Sequence, residues 1–153
     1  MKGIVYALLM VITLQVAAQE KSAGYDKIGG FDRGIALVWK AGKVGVITQD
    51  GKEIVKPEYD KISSFGRDGI AYTTKAGLIG LLKMDGKVLA PNIYTSIGSF
   101  NHGLAVTRKN GRVGLINLQG KEVIPNDYDE IKIDHNGVVR GYKSGKEMLL
   151  EIK

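Results

Sequence analysis

The sequence contains no cysteine. That absence removes disulfides, reactive thiols and thiolate metal sites from consideration, and it speaks against a lipid-modified cysteine behind the leader. Aromatic residues make up only 7% of the chain, and there are two histidines, His102 and His135. Each histidine lacks an obvious serine or carboxylate frame for nucleophilic catalysis. No phosphate-cradling glycine loop followed by Lys-Ser/Thr is present. The longest apolar run, Ile4 to Val16, falls short of the roughly 20 residues that a helix needs to span a bilayer. With Lys2 before it and Val16-Ala17-Ala18 after it, this run reads as a signal peptide over residues 1–18. The expectation is an exported protein, in the periplasm, at the cell surface or in the medium, with no membrane span.

What the chain has is glycine, 21 residues of it, and repetition. The segment Gly34-Ile-Ala-Leu-Val-Trp-Lys-Ala-Gly-Lys-Val-Gly-Val-Ile-Thr48 is written again from Gly69 to Lys83, and a third time from Gly103 to Asn117. A degenerate fourth version opens at Gly137. Each has an apolar run, a two-residue turn ending in Gly (Ala41-Gly42, Ala76-Gly77, Asn110-Gly111, Ser144-Gly145) and a second apolar run. Such dipeptides supply the positive φ angles of a tight primed turn, so each segment predicts a β-hairpin. A Tyr-x-x-Ile segment leads every copy, starting at Tyr25, Tyr59, Tyr94 and Tyr128. A third apolar run follows each full hairpin, and Pro57, Pro91 and Pro125 are expected to end it, because proline cannot donate to a ladder.

A period near 34 also describes helical tetratricopeptide repeats. The density of glycine, the β-branched runs and the prolines are poor helix material, so strands are favoured. Three and a half short copies are too few to close a propeller. One copy cannot fold alone, since ordering its backbone costs about 1–2 kcal/mol per residue. The expected fold is therefore all-β: a short open array of stacked β-hairpin, three-stranded repeats. A linker over 19–24 leads into repeats at 25–58, 59–93 and 94–127, and a partial capping repeat at 128–153. Asp134 in place of Phe31, Phe65 and Phe100, and Glu147 in place of Val44, Ile79 and Val113, mark that last copy as a polar cap.

The string Tyr-Asp-x-Ile-x-x-Phe, Gly-Ile/Leu-Ala, x-Gly-x-x-Gly-x-Ile and Gly-Lys-x-x-x-Pro resembles the WG (KWG) β-repeat family of bacterial, often exported, proteins. The family's name-giving Trp position holds Val44, Ile79 and Val113 here. The resemblance implies a repeat scaffold with no catalytic residues to carry over; no cofactor or metal is expected from the residues.

Function is therefore sought on the surface. The hairpin tips are flanked by cations, Lys40 and Lys43, Lys75, Lys109 and Arg112, Lys143 and Lys146. They form a candidate basic rim for a polyanion such as an anionic glycan, lipopolysaccharide or nucleic acid. The plainer reading is that lysine beside a turn solubilises it and deters edge pairing. The tips are mostly aliphatic, whereas single-strand binders interleave aromatics with cations, so nucleic acid is disfavoured. The leading tyrosines are expected in a buried ladder, not in an exposed sugar-binding row. Gly45, Gly80 and Gly114 are expected to permit close backbone approach. Asp127, Asp129, Glu130 and Asp134 cluster without an EF-hand spacing, and solvation of a junction turn accounts for them better than calcium. The leading expectation is a non-catalytic binding or scaffold module for a protein, peptide or cell-envelope ligand. The alternatives are polyanion binding by the rim, an enzyme, and self-association through strand edges at the array ends.

Overall fold

The computed structural model describes residues 24–152. The expected signal peptide, and all of the linker except Gly24, lie outside the described residues. The chain divides into two compact units, the first ending at Glu58 and the second running from Tyr59.

The first copy forms one antiparallel meander of β1 (Lys27–Ile28), β2 (Ile35–Lys40), β3 (Lys43–Thr48) and β4 (Glu53–Tyr59). The second copy repeats it as β5 (Lys61–Ile62), β6 (Ile70–Lys75), β7 (Leu78–Lys83) and β8 (Val88–Tyr94). The third does so as β9 (Ser96–Ile97), β10 (Leu104–Lys109), β11 (Arg112–Asn117) and β12 (Glu122–Tyr128). The fourth stops at three strands, β13 (Glu130–Ile133), β14 (Val139–Lys143) and β15 (Lys146–Leu150). The leading Tyr-x-x-Ile segment thus adds a short edge strand to the three main runs of each full copy.

All four expected hairpin turns form, with both central residues at positive φ, for example Ala41 at 50° and Gly42 at 74°. The prolines do not end the third run. β4, β8 and β12 carry through Pro57, Pro91 and Pro125 to the next tyrosine. In the second and third copies a bulge makes this tolerable. Ile79 pairs with Tyr94 and Leu81 with Ala90, so the strand folds outward between the pairs and Pro91 sits where no ladder bond is required. Facing the proline-bearing strand in every full copy lies a glycine whose added Cβ would stand 2.5 Å from the Val55 carbonyl at Gly45, 2.7 Å from that of Ala90 at Gly80 and 2.6 Å from that of Ile124 at Gly114. Close approach is what these three glycines permit.

In the second unit the sheets bury their faces against one another. Ile70, Leu81, Ala90 and Tyr94 pack with Ala105 and Ile116 of the third copy. Leu104, Val113, Leu115 and Ile124 then pack with Ile131 and Val139 of the fourth. Each fully buried aliphatic side chain contributes about 1.5–3 kcal/mol, and none of these sheets encloses its own. Gly120, in the turn before β12, lies against the Leu89 carbonyl of the copy before it, so the turns interlock as well as the faces. In the first unit Ala36, Val38 and Ile47 are buried, with Tyr25 and Ile28 packed on them.

Candidate functional site

The hairpin tips are built by a device that the sequence alone did not disclose. The Asp that follows the leading Tyr reaches the tip and accepts the amide of its first turn residue. Asp26 accepts from Ala41 at 2.6 Å, Asp60 from Ala76 at 2.7 Å and Asp129 from Ser144 at 2.8 Å. These amides belong to residues held at positive φ, and the carboxylate fixes them there. The third copy has Thr95 instead, whose hydroxyl donates to the Arg108 carbonyl at 3.1 Å. The recurrence of Tyr-Asp was the available signal.

The carboxylates alter the proposed basic rim. Arg112 is ion-paired with Asp129, and Lys143 with Asp127. The Lys75 ammonium lies 5.7 Å from the centre of the Tyr59 ring. Lys109 borders a shallow cavity of about 270 Å³ with Asn110, Glu122, Pro125 and Asn126. Lys40, Lys43 and Lys146 are exposed. The second unit therefore gathers Lys75, Lys109, Arg112, Lys143 and Lys146 on its tips, with acidic groups interleaved, and Lys40 and Lys43 sit on the tip of the first unit.

The late acidic cluster is dispersed into pairs. Glu130 meets Lys132 at 3.4 Å, and Asp134 meets Arg140 at 3.4 Å. The Asp134 carboxyl is held below the usual carboxylate range, first by hydrogen bonding to the Val138 amide and further by the Asn136 amide and the Arg140 charge. The hydrogen bond from Lys143, and then its charge, lower that of Asp127. Among the described residues no three His, Asp or Glu side chains gather to hold a metal ion. His102 occupies a tight turn at φ 50°, and His135 sits in the turn that Asp134 caps; both are exposed.

The tyrosine row is buried at Tyr59 and Tyr94 and half-buried at Tyr25 and Tyr128. The Tyr25 hydroxyl donates to Glu53 at 2.8 Å. Burial raises the Tyr94 phenol above its ordinary value, with the Glu122 charge adding to it. This is the ladder that the spacing suggested, and it leaves no exposed row for sugar stacking.

A second buried polar device lies beneath the tips. The Asn92 amide donates to the carbonyls of Thr73 at 3.1 Å and Leu78 at 3.0 Å, tying both arms of the hairpin. Asn126 does the same with Thr107 at 3.0 Å and Arg112 at 3.2 Å. Thr73 and Thr107 are buried, and their hydroxyls complete the network. The first copy has Val38 and Pro57 at these positions, an apolar pair for a polar one.

A cleft of about 330 Å³ lies between the second and third copies. Ile70, Leu89 and Leu118 line it together with Lys83, Lys87 and Asp68. Thr48 and Asn117 occupy the Lys83 position in the neighbouring copies, where they accept the amides of Lys52 at 3.1 Å and Lys121 at 3.0 Å. In the second copy Asp85 accepts the Lys87 amide instead, and Lys83 projects beside the cleft.

The family model described as WG containing repeat matches residues 45–78, 79–112 and 114–146, more than half of the chain. No curated protein matches the chain.

Proposed function

The chain belongs to the family of WG containing repeats, and from that premise we propose that it is a non-catalytic, exported binding or scaffold module for a protein, peptide or other cell-envelope ligand. One observation supports this reading above the others. The polar side chains that recur from copy to copy are engaged in holding the scaffold: Asp26, Asp60 and Asp129 on tip amides, Asn92 and Asn126 on hairpin carbonyls. Catalysis requires a nucleophile, a base and an orienting group brought into mutual reach. Here Asp26, Asp60, Asp127, Asp129 and Asp134 are each engaged with an amide or a cation, and the two histidines stand on separate turns. Residues free to differ between copies, such as Lys83 and Leu118 at the cleft, are what a ligand would meet.

The basic rim supports polyanion binding less well, because Asp127 and Asp129 neutralise two of its cations in place. Sedimentation with purified cell-envelope fragments separates the readings. Co-sedimentation that protease treatment of the fragments abolishes supports a protein or peptide ligand. Retention that survives protease, falls steeply with salt and is lost in Lys75→Glu with Lys109→Glu would move the assignment to the rim. No co-sedimentation with any fragment defeats the envelope reading.

A further inference from the structure

The fourth copy ends its sheet at β15, whose outer edge pairs with no strand among the described residues. In the three full copies that edge is covered by a fourth strand, bulged in the second and third, where Gly80 or Gly114 makes room for the bulge. Met148 stands at the same position in β15. A side chain there occupies the space into which the carbonyl of the bulge would fold, so β15 cannot accept a bulged strand like β8 or β12. A regular, unbulged antiparallel strand is the partner its geometry admits.

The hairpin register says which groups are on offer. Lys143 pairs with Lys146 across the two-residue turn, Gly141 with Met148 and Val139 with Leu150. These are the pairs that exchange ladder bonds with β14, so the main-chain groups of Glu147 and Leu149 point to the open edge. Leu149 is 68% exposed beside it.

We propose that β15 pairs with β15 of a second copy of this chain, antiparallel about a two-fold axis through Met148. A two-fold axis perpendicular to the sheet sets residues of the same face opposite one another, which leaves only registers centred on a single residue. Centring on Met148 pairs all five residues of β15. It sets Glu147 opposite Leu149 and Lys146 opposite Leu150, with no like charges face to face. Centring on Leu149 would oppose Glu147 to Glu151, and centring on Glu147 would oppose that residue to itself; directly opposed like charges destabilise a sheet. The two sheets thereby become one six-stranded sheet, and Leu149 of each copy gains a neighbour.

The lack of cysteine makes the register directly testable. In the proposed pairing the two Met148 residues form a pair without ladder bonds, whose Cα atoms approach to about 4.5 Å, within disulfide reach. Oxidation of Met148→Cys should convert the chain almost wholly to a disulfide-linked dimer, while Leu149→Cys, two residues out of register, should give several-fold less. The unmodified chain should show a concentration-dependent dimer in sedimentation velocity, and Leu149→Lys should shift that equilibrium towards monomer. A monomer at every accessible concentration overturns the proposal. So does a dimer that Leu149→Cys traps and Met148→Cys does not.

Discussion

The third and fourth copies share a frame and differ at the positions that decide whether a layer lies inside the stack or closes it. Where the third copy has Val106 and Val113 on the face turned towards its successor, the fourth has Arg140 and Glu147, which pair at 3.4 Å. Where the second copy has Phe65 and the third Phe100, the fourth has Asp134, the other partner of Arg140. Where the third has Gly114 beneath a bulged strand, the fourth has Met148 and no such strand. The closing layer keeps the hairpin, its primed turn and its carboxylate-clamped tip. It exchanges only the groups that would otherwise need covering. Interior and terminal layers are therefore set apart by a few side chains on one face, not by a change of backbone.

The largest test of that contrast is Gly114→Ala. A methyl group there meets the Ile124 carbonyl and the Pro125 and Asn126 main chain, and should cost about 1–3 kcal/mol of overpacking, read as a lower urea midpoint. Met148→Ala, at the matching position of the open sheet, should move the same midpoint by less than about 0.5 kcal/mol. Equal costs at the two sites would remove the distinction. A smaller effect is expected from Thr107→Val, which deprives the Asn126 side chain of its hydroxyl partner and should cost about 1 kcal/mol. Its counterpart in the fourth copy is Gly141, where no such network exists, and in the first it is Val38 beside Pro57. Thr107→Val that proves neutral would mean that the polar pair and the apolar pair are interchangeable one residue at a time.

The smallest expected effect is on pH. The folded Asp134 carboxyl titrates below its unfolded value of about 3.9. Its contribution is present above that value and is lost as pH falls through the lower folded one. Urea midpoints measured from neutral pH downwards should therefore decline on the acid side less steeply for Asp134→Asn. The third copy, with Phe100 in that place, has no matching group to titrate.

Most of the backbone was legible from residue order. The hairpins were, because a two-residue turn ending in glycine and flanked by apolar runs admits few conformations. The polar character of the fourth copy was, because Asp134 and Glu147 break the pattern on an otherwise apolar face. What joins them, Arg140, was not, since a cation in a strand is unremarkable until the strand's inner face is known. The prolines misled: a strand that bulges can carry proline internally, and the bulge is encoded on the facing strand, at Gly80 and Gly114. The tip cations were legible as residues but not as a surface. Asp127 and Asp129 reach Lys143 and Arg112 from 16 and 17 residues away, a distance that composition within each tip does not reveal.

Because the residues that set the fourth copy apart, Asp134, Arg140, Glu147 and Met148, all follow Tyr128, the number of copies and the character of that layer can change separately. Duplicating residues 94–127 in tandem would insert a layer whose upper and lower faces already match its neighbours, with the closing layer displaced outward unchanged. A gene of this kind can grow by whole layers without revising the residues that mark the fourth.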